Sequence, residues 1–164
     1  MNTFAERLAY GEEGEQECVD LILSLKNPNV EEVLFTNDLY DSSVDGSISV
    51  FNAIHGDIII NTKDEFIRVD VKRVENPAHW GNRKKSFVVD IASIDRFQGD
   101  VYIGCDPDMT EFFVVQKELV KKYGYQGFSP SGEQWKFKSV DILKPEFKAM
   151  GLKTWVKNNC PTSW

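Results

Sequence analysis

Two runs in the first half of the chain constrain its fold more than any other stretch. Asp57-Ile58-Ile59-Ile60 is followed by turn residues at Asn61-Thr62-Lys63-Asp64, then by the alternating run Phe66-Ile67-Arg68-Val69-Asp70-Val71-Lys72. In the second run Ile67, Val69 and Val71 take one side and Arg68, Asp70 and Lys72 the other. That period of two belongs to a strand, because successive strand side chains point to opposite faces. The two runs and their turn predict an antiparallel hairpin.

The flanking segments supply the rest of an α/β plan. Over residues 4–25, Phe4, Leu8, Cys18, Leu21, Ile22 and Leu25 recur at helical spacing with Glu12, Glu13, Glu15, Glu17 and Asp20 between them. Gly11 and Gly14 each weaken a helix by about 1 kcal/mol relative to Ala. This leaves two readings: one broken helix, or a turn followed by a helix from about residue 12. Residues 30–36 predict a short strand and 37–49 a loop. A polar, basic loop follows over 75–85, then a strand over 86–91. Ser93 is placed to cap a helical turn over 94–97. Strands are expected at 101–105 and 111–115, a Lys-rich helix at 116–123 and a loop at 124–134. Pro145 opens a last helix with Phe147, Met150 and Trp155 on an apolar side and Lys148, Lys153 and Lys157 on a basic one. The order predicts a mixed sheet with helices packed on it, and 164 residues favour a single domain.

Composition narrows the function. The formal charge is −7, with 19 basic and 26 acidic side chains, so a DNA coat held by charge alone is a poor reading. The charge is uneven: residues 1–65 carry 3 basic and 14 acidic side chains, residues 66–164 carry 16 and 12. A polyanion could meet the second half while the first holds acidic ligands; the plain alternative is charge scatter that keeps the protein soluble. Three distant cysteines, Cys18, Cys105 and Cys160, argue against a disulfide framework and a thiolate zinc site. His55 and His79 are too few for a His-rich metal site. The N-terminus lacks a signal-peptide pattern, and no apolar run approaches the ~18 residues of a membrane span; an intracellular, cytoplasmic protein is expected. No P-loop, Rossmann glycine fingerprint or G-x-S-x-G is present. Asp41-Ser42-Ser43-Val44-Asp45-Gly46-Ser47-Ile48 matches the start of an EF-hand loop, but its twelfth position is Asn52 rather than a bidentate Glu. A polar loop is the better reading.

The hairpin carries the chemistry. Asp70 and Lys72 lie ~7 Å apart on one face, toward whatever Asp57 faces if the register allows. Two carboxylates and an ammonium are costly to bury unpaired, and a divalent cation would neutralise the carboxylates. Oxygen ligands suit Mg²⁺ or Mn²⁺. Such a cation lowers the pKa of its water and polarises a phosphate, while Lys72 could orient the water and stabilise the growing charge. The plain alternative is an exposed face of Arg68, Asp70 and Lys72 exchanging ion pairs worth ~0–1 kcal/mol.

Gly56-Asp57, the hairpin turn and Asp70-Val71-Lys72 together resemble the PD-(D/E)XK nuclease superfamily, with Gly56 in place of the proline of that name. The segment Gly11-Glu12-Glu13-Gly14-Glu15-Gln16-Glu17-Cys18-Val19 is similar to the G-x-x-x-E-x-E-x-V helix of archaeal Holliday-junction resolvases in that superfamily. The resemblance implies Glu15 as a third metal-binding carboxylate, with Glu12, Glu13 and Glu17 as competitors, and Gly14 as a point of close helix–sheet approach. It also implies a restriction-endonuclease-like αβββαβ core, a mixed central sheet flanked by helices. The core spans about 5–123, with 124–164 an extension carrying an extra C-terminal helix, all in one domain over 1–164. The implied activity is a metal-dependent DNA endonuclease. Glu15, Asp57 and Asp70 would hold Mg²⁺ or Mn²⁺, and Lys72 would act at the reacting phosphate. The target is either branched DNA, as for a resolvase, or duplex, as for a restriction or homing enzyme, and a homodimer is expected. The rival reading is a non-catalytic DNA- or protein-binding module on the same fold.

The stretch after the motif suggests where DNA would lie. Arg73, Arg83, Lys84 and Lys85 are placed to meet phosphates, and His79 and Trp80 to stack on or wedge between bases. The alternative is a solvated loop.

Overall fold

The computed structural model describes residues 3–43 and 46–164. Met1 and Asn2 lie outside them, as do Val44 and Asp45 within the stretch weighed as a calcium loop.

The N-terminal helix is continuous. Helix α1 spans Phe4–Ser24. Thr3 and Glu6 close its start reciprocally: the Glu6 N–H donates to Thr3 Oγ1 at 3.1 Å and the Thr3 N–H to Glu6 Oε2 at 3.2 Å. Gly14 does not break it, because Gly14 is a packing position. A Cβ there would sit 3.2 Å from Arg73 Cβ, so its absence lets the helix lie close on the sheet.

Strand β1 (Val30–Phe35) leads into a 3-10 turn at Thr36–Leu39 and then helix α2 (Ile48–His55). Part of this region was expected to be loop. The short α2 buries no residue and leaves Ile48 and Val50 exposed, so it has no core-facing stripe to reveal it. Strands β2 (Ile58–Thr62) and β3 (Phe66–Arg73) form the expected antiparallel hairpin. The following stretch is more ordered than a loop: a 3-10 turn at Pro77–His79 is followed by β4 (Trp80–Gly81), and β5 (Lys84–Asp90) already begins within the expected loop. Helix α3 (Ile91–Arg96) is capped by Asp90, whose Oδ1 accepts from the Ser93 N–H at 3.1 Å, not by Ser93. Strands β6 (Val101–Cys105) and β7 (Phe112–Gln116) and helix α4 (Lys117–Tyr123) follow as expected.

The last forty residues depart most from expectation. Strand β8 (Tyr125–Phe128) lies inside the loop expected over 124–134 and pairs with β9 (Gln134–Asp141), which starts at the end of that stretch and runs beyond it. Pro145 opens only a 3-10 turn, Pro145–Phe147, after which Lys148 takes a left-handed conformation (φ 47°) that ends it. Strand β10 (Met150–Gly151) and helix α5 (Leu152–Lys157) complete the chain.

The main sheet is mixed, in the order β1-β2-β3-β6-β7-β10, with β3 and β6 parallel and the other neighbours antiparallel. Helices α1 and α5 cover one face. There Cys18, Val19, Ile22 and Trp155 join Ile58, Ile60, Ile67, Val69 and Ile103 in one core. The other face meets a second, antiparallel sheet, β4-β5-β9-β8, through Tyr102 and Val115 against Phe87, Val89, Val140 and Phe147. Residues 124–164 therefore complete both layers. Among the described residues no helix is long and apolar enough to cross a membrane.

Candidate active site

The site forms where β3 runs past the start of β2. Ile58 pairs with Val69, and Asp57 stands just ahead of that pair. The Asp57 N–H donates to the Val69 carbonyl at 2.8 Å, and the Thr36 N–H donates to the Asp57 carbonyl at 2.9 Å. The Val71 N–H, left without a partner strand on this side, donates to Asp57 Oδ2 at 2.7 Å. Gly56 makes the turn into this position at φ 76°, and a Cβ there would lie 2.6 Å from the Val69 carbonyl oxygen. Proline, fixed near φ −65°, cannot adopt that conformation, which explains glycine at this place.

Asp70 and Lys72 share a face of β3, with Lys72 Nζ 3.2 Å from Asp70 Oδ2. Glu15 comes from α1, one residue beyond Gly14. Its carboxyl is a hydrogen-bonding neighbour of Asp57, and Asp57 of Asp70. The structure thus brings Glu15, Asp57, Asp70 and Lys72 together from a helix and two strands. Crowding shows in the proton affinities. Burial pushes Glu15 up to about 7; its hydrogen bond with Asp57 works against this, and the charges of Asp70 and Glu12 add to it. Burial, then Asp70, holds Asp57 well above the ordinary carboxylate range. The Asp70 charge raises Lys72, outweighing burial, so Lys72 is an ammonium at neutral pH.

Two of the competing glutamates go elsewhere, and Glu12 stays beside the site. Glu13 pairs with Arg73 at 3.2 Å. Glu17 lines a separate cavity with Asp20 and Lys153. Glu12 lies with Glu15, Asn37, Asp38 and Asp57 around a cavity of about 220 Å³. Three carboxyls, two with raised proton affinity, form an oxygen-only donor set suited to Mg²⁺ or Mn²⁺, and positive charge would relieve their repulsion. Among the described residues, however, no three His, Cys, Asp or Glu side chains are already grouped as a metal cage.

The residues assigned to DNA divide sharply. Arg73 lies inside: its Nε and Nη2 donate to the Pro107 carbonyl at 3.0 and 2.6 Å, its Nη1 donates to the Tyr10 carbonyl at 2.9 Å, and its guanidinium stacks 3.6 Å over the Tyr10 ring. Trp80 is buried, its Nε1–H donating to Glu111 Oε2 at 3.1 Å, so it offers no free ring to a base. Lys85 is tied to the other oxygen of Glu111 at 2.6 Å. His79, Arg83 and Lys84 are exposed. The reason for the division is that β4 and β5 fold this stretch onto the main sheet.

Two features beyond the motif emerge. A cavity of about 480 Å³ opens beside Lys72, lined also by Arg7, Tyr10, His79, Ser86 and Val88. Arg7 lies seven residues before Gly14, two turns away on the same face of α1, a spacing visible in the sequence. Tyr102 lies opposite Asp70 in the parallel ladder, and its buried hydroxyl has no hydrogen-bond partner among the described residues. Only the register could have revealed that neighbour.

No protein-family model matches the sequence, and no curated protein matches it. The structure superposes on a Holliday junction resolvase from the archaeal hyperthermophile Archaeoglobus fulgidus with a TM-score of 0.48 at 9% identity, covering 90% of this chain and 95% of that one. It superposes on a bacterial homing endonuclease with a TM-score of 0.49 at 14% identity, covering 85% and 75%. At these values neither likeness carries an argument about activity.

Proposed function

We propose that this chain is a metal-dependent DNA endonuclease of the PD-(D/E)XK type, hydrolysing phosphodiester bonds. The observation that carries the reading is the meeting of Glu15, Asp57 and Asp70 with an ion-paired Lys72 at the open end of the β2–β3 hairpin. Glu15, Asp57 and Asp70 would hold Mg²⁺ or Mn²⁺, which when bound supplies Lewis-acid polarisation of the phosphate and a more acidic water. The protein's own groups do the rest. Asp57 is fixed by the Val71 N–H at Oδ2, so its other oxygen keeps one direction. Lys72, being charged, is no base; it orients the attacking water and offsets charge growing on the phosphate oxygens. His79, Arg83 and Lys84, with Arg7, are the proposed backbone contacts. A homodimer would supply one site for each strand of a duplex.

A second reading, a non-catalytic binding module, draws on the absence of a ready-made metal cage among the described residues. Nicking of supercoiled plasmid separates the two. The nuclease reading expects nicking in Mg²⁺ that EDTA abolishes; DNA binding without nicking in either Mg²⁺ or Mn²⁺ favours the module.

A further inference from the structure

Helix α1 carries two interior glycines, and packing accounts for only one of them. Gly14 lets the helix lie against Arg73. Gly11 sits in the same continuous helix, yet a Cβ built there would meet nothing within 4 Å. An interior glycine weakens a helix relative to alanine, so a bare position with free space around it needs another cause. Gly11 lines the cavity of about 480 Å³ beside Lys72, on the wall that α1 supplies, and β5 supplies the wall that holds Phe87 and Val88. The bare position widens this cavity.

Charge does not choose the occupant. Glu75 lines the cavity as well as Arg7 and His79, Lys72 is paired with Asp70, and Arg73 is committed to two carbonyls and Glu13. Chemistry and continuity choose it. Val71, Val74, Phe87 and Val88 make much of the lining apolar, which suits a flat ring better than a phosphate. The volume falls within the roughly 300–1,000 Å³ of small-molecule sites, room for one nucleoside and not for a length of strand. Lys72, the residue proposed at the reacting phosphate, belongs to the same lining. A group that enters here is therefore one bonded to that phosphate. In a paired duplex the neighbouring base is held in the stack and cannot reach a side cavity; a base out of the stack can.

We propose that this cavity takes the base of one nucleotide held out of the duplex next to the scissile phosphate, and that Gly11 is bare to admit it. Resting on the nuclease reading, it names the substrate class: DNA with an unpaired nucleotide beside the cut. Extrusion costs least where a base has no partner, so a bulged strand is favoured over a paired one.

The test is fluorescence anisotropy in EDTA, where the proposed chemistry is off, with end-labelled duplexes that carry either a bulged adenosine or a bulged abasic nucleotide. The abasic bulge keeps the extra backbone and removes only the ring. Wild type should bind the adenosine bulge roughly fivefold or more tighter than the abasic one, the gain from burying part of one base. Gly11→Leu fills the cavity from α1 and should erase that preference, with Gly11→Ala losing less, in order of side-chain size. Val88→Trp fills it from β5 and should erase the preference too. Urea unfolding of the same preparations identifies a variant that has failed to fold, and the other filler then decides. Equal affinity of wild type for the two bulges, or binding to neither, overturns the proposal. So does a preference that survives in a folded filler, or a loss as large in Gly11→Ala as in Gly11→Leu, which would trace the effect to the helix backbone. Wild type that fails to nick plasmid in Mg²⁺ yet prefers the adenosine bulge, with the preference lost in the fillers, refutes the nuclease reading and leaves the base pocket standing.

Discussion

Arg73 shows how one side chain can look like a ligand contact and act as a clamp. It is adjacent to Lys72 in sequence, but the strand alternation turns it to the other face, where it ties α1 to the β6–β7 turn through two carbonyls, Glu13 and the Tyr10 ring. A planar fork makes all of these contacts at once, and an ammonium cannot. Arg73→Lys should therefore destabilise the protein by roughly 1–3 kcal/mol in urea unfolding and leave the salt dependence of DNA binding unchanged; a flattened salt slope with full stability would return Arg73 to the DNA. Tyr102 offers the reverse case. Its hydroxyl is buried without a hydrogen-bond partner among the described residues, beside Asp70. Removing an unsatisfied group restores nothing to water and breaks no bond, so Tyr102→Phe should leave stability unchanged or raise it by up to about 1 kcal/mol. A lowered melting temperature would mean that the hydroxyl has a partner the reading lacks.

At the scale of elements, two turns hold the site in place. Gly56 carries the chain into Asp57 at φ 76° with the Val69 carbonyl against it. Gly56→Ala adds a Cβ in both a strained conformation and a closed space. A loss of about 2 kcal/mol or more in equilibrium unfolding is expected, with reduced nicking because Asp57 must shift. In the β6–β7 turn, burial raises the Asp106 proton affinity. The N–H groups of Glu111 and Thr110 and the Thr110 hydroxyl more than reverse that, so its carboxyl titrates below the ordinary range. A depressed carboxyl contributes stability that is full above its unfolded pKa and fades as pH falls through the folded one. Wild type should thus lose stability more steeply than Asp106→Asn below about pH 4; parallel curves would contradict the assignment. These two turns also mark where the sequence could and could not be read. The β2–β3 hairpin, β6 and α4 were legible because alternation or composition repeats over several residues. Helix α2 was not, since it buries nothing, and β9 was hidden beside a Gly/Ser/Pro segment although Trp135, Phe137 and Ser139 do alternate. The shared face of Asp70 and Lys72 followed from the pleat, whereas the position of Asp57 depended on the hairpin register. Glu15 was singled out by resemblance, with its neighbours left open, and the burial of Trp80 depended on β4 and β5 folding back, which no local pattern announces.

For the molecule as a whole, the second sheet, built partly from residues 124–141, changes where DNA could lie. The basic stretch after the motif is not a free loop; Lys85 and Trp80 are both held by Glu111. Only Arg83 and Lys84 remain as exposed cations of that stretch, so Arg83→Ala with Lys84→Ala should flatten the log–log salt slope of duplex binding by up to ~1.8, at ~0.9 per phosphate contact. An unchanged slope would move the duplex path toward Arg7 and the cavity beside Lys72. The central claim, however, is that three carboxyls and a lysine form a cleaving centre. Its most direct test is Asp70→Asn beside wild type, with plasmid nicking and DNA affinity measured on the same preparations in Mg²⁺. Removing the charge takes away a metal ligand and weakens repulsion of phosphate. Wild type should nick, and Asp70→Asn should not nick at all while binding DNA as well as wild type or better; full nicking by Asp70→Asn would contradict a metal-binding role for this carboxylate.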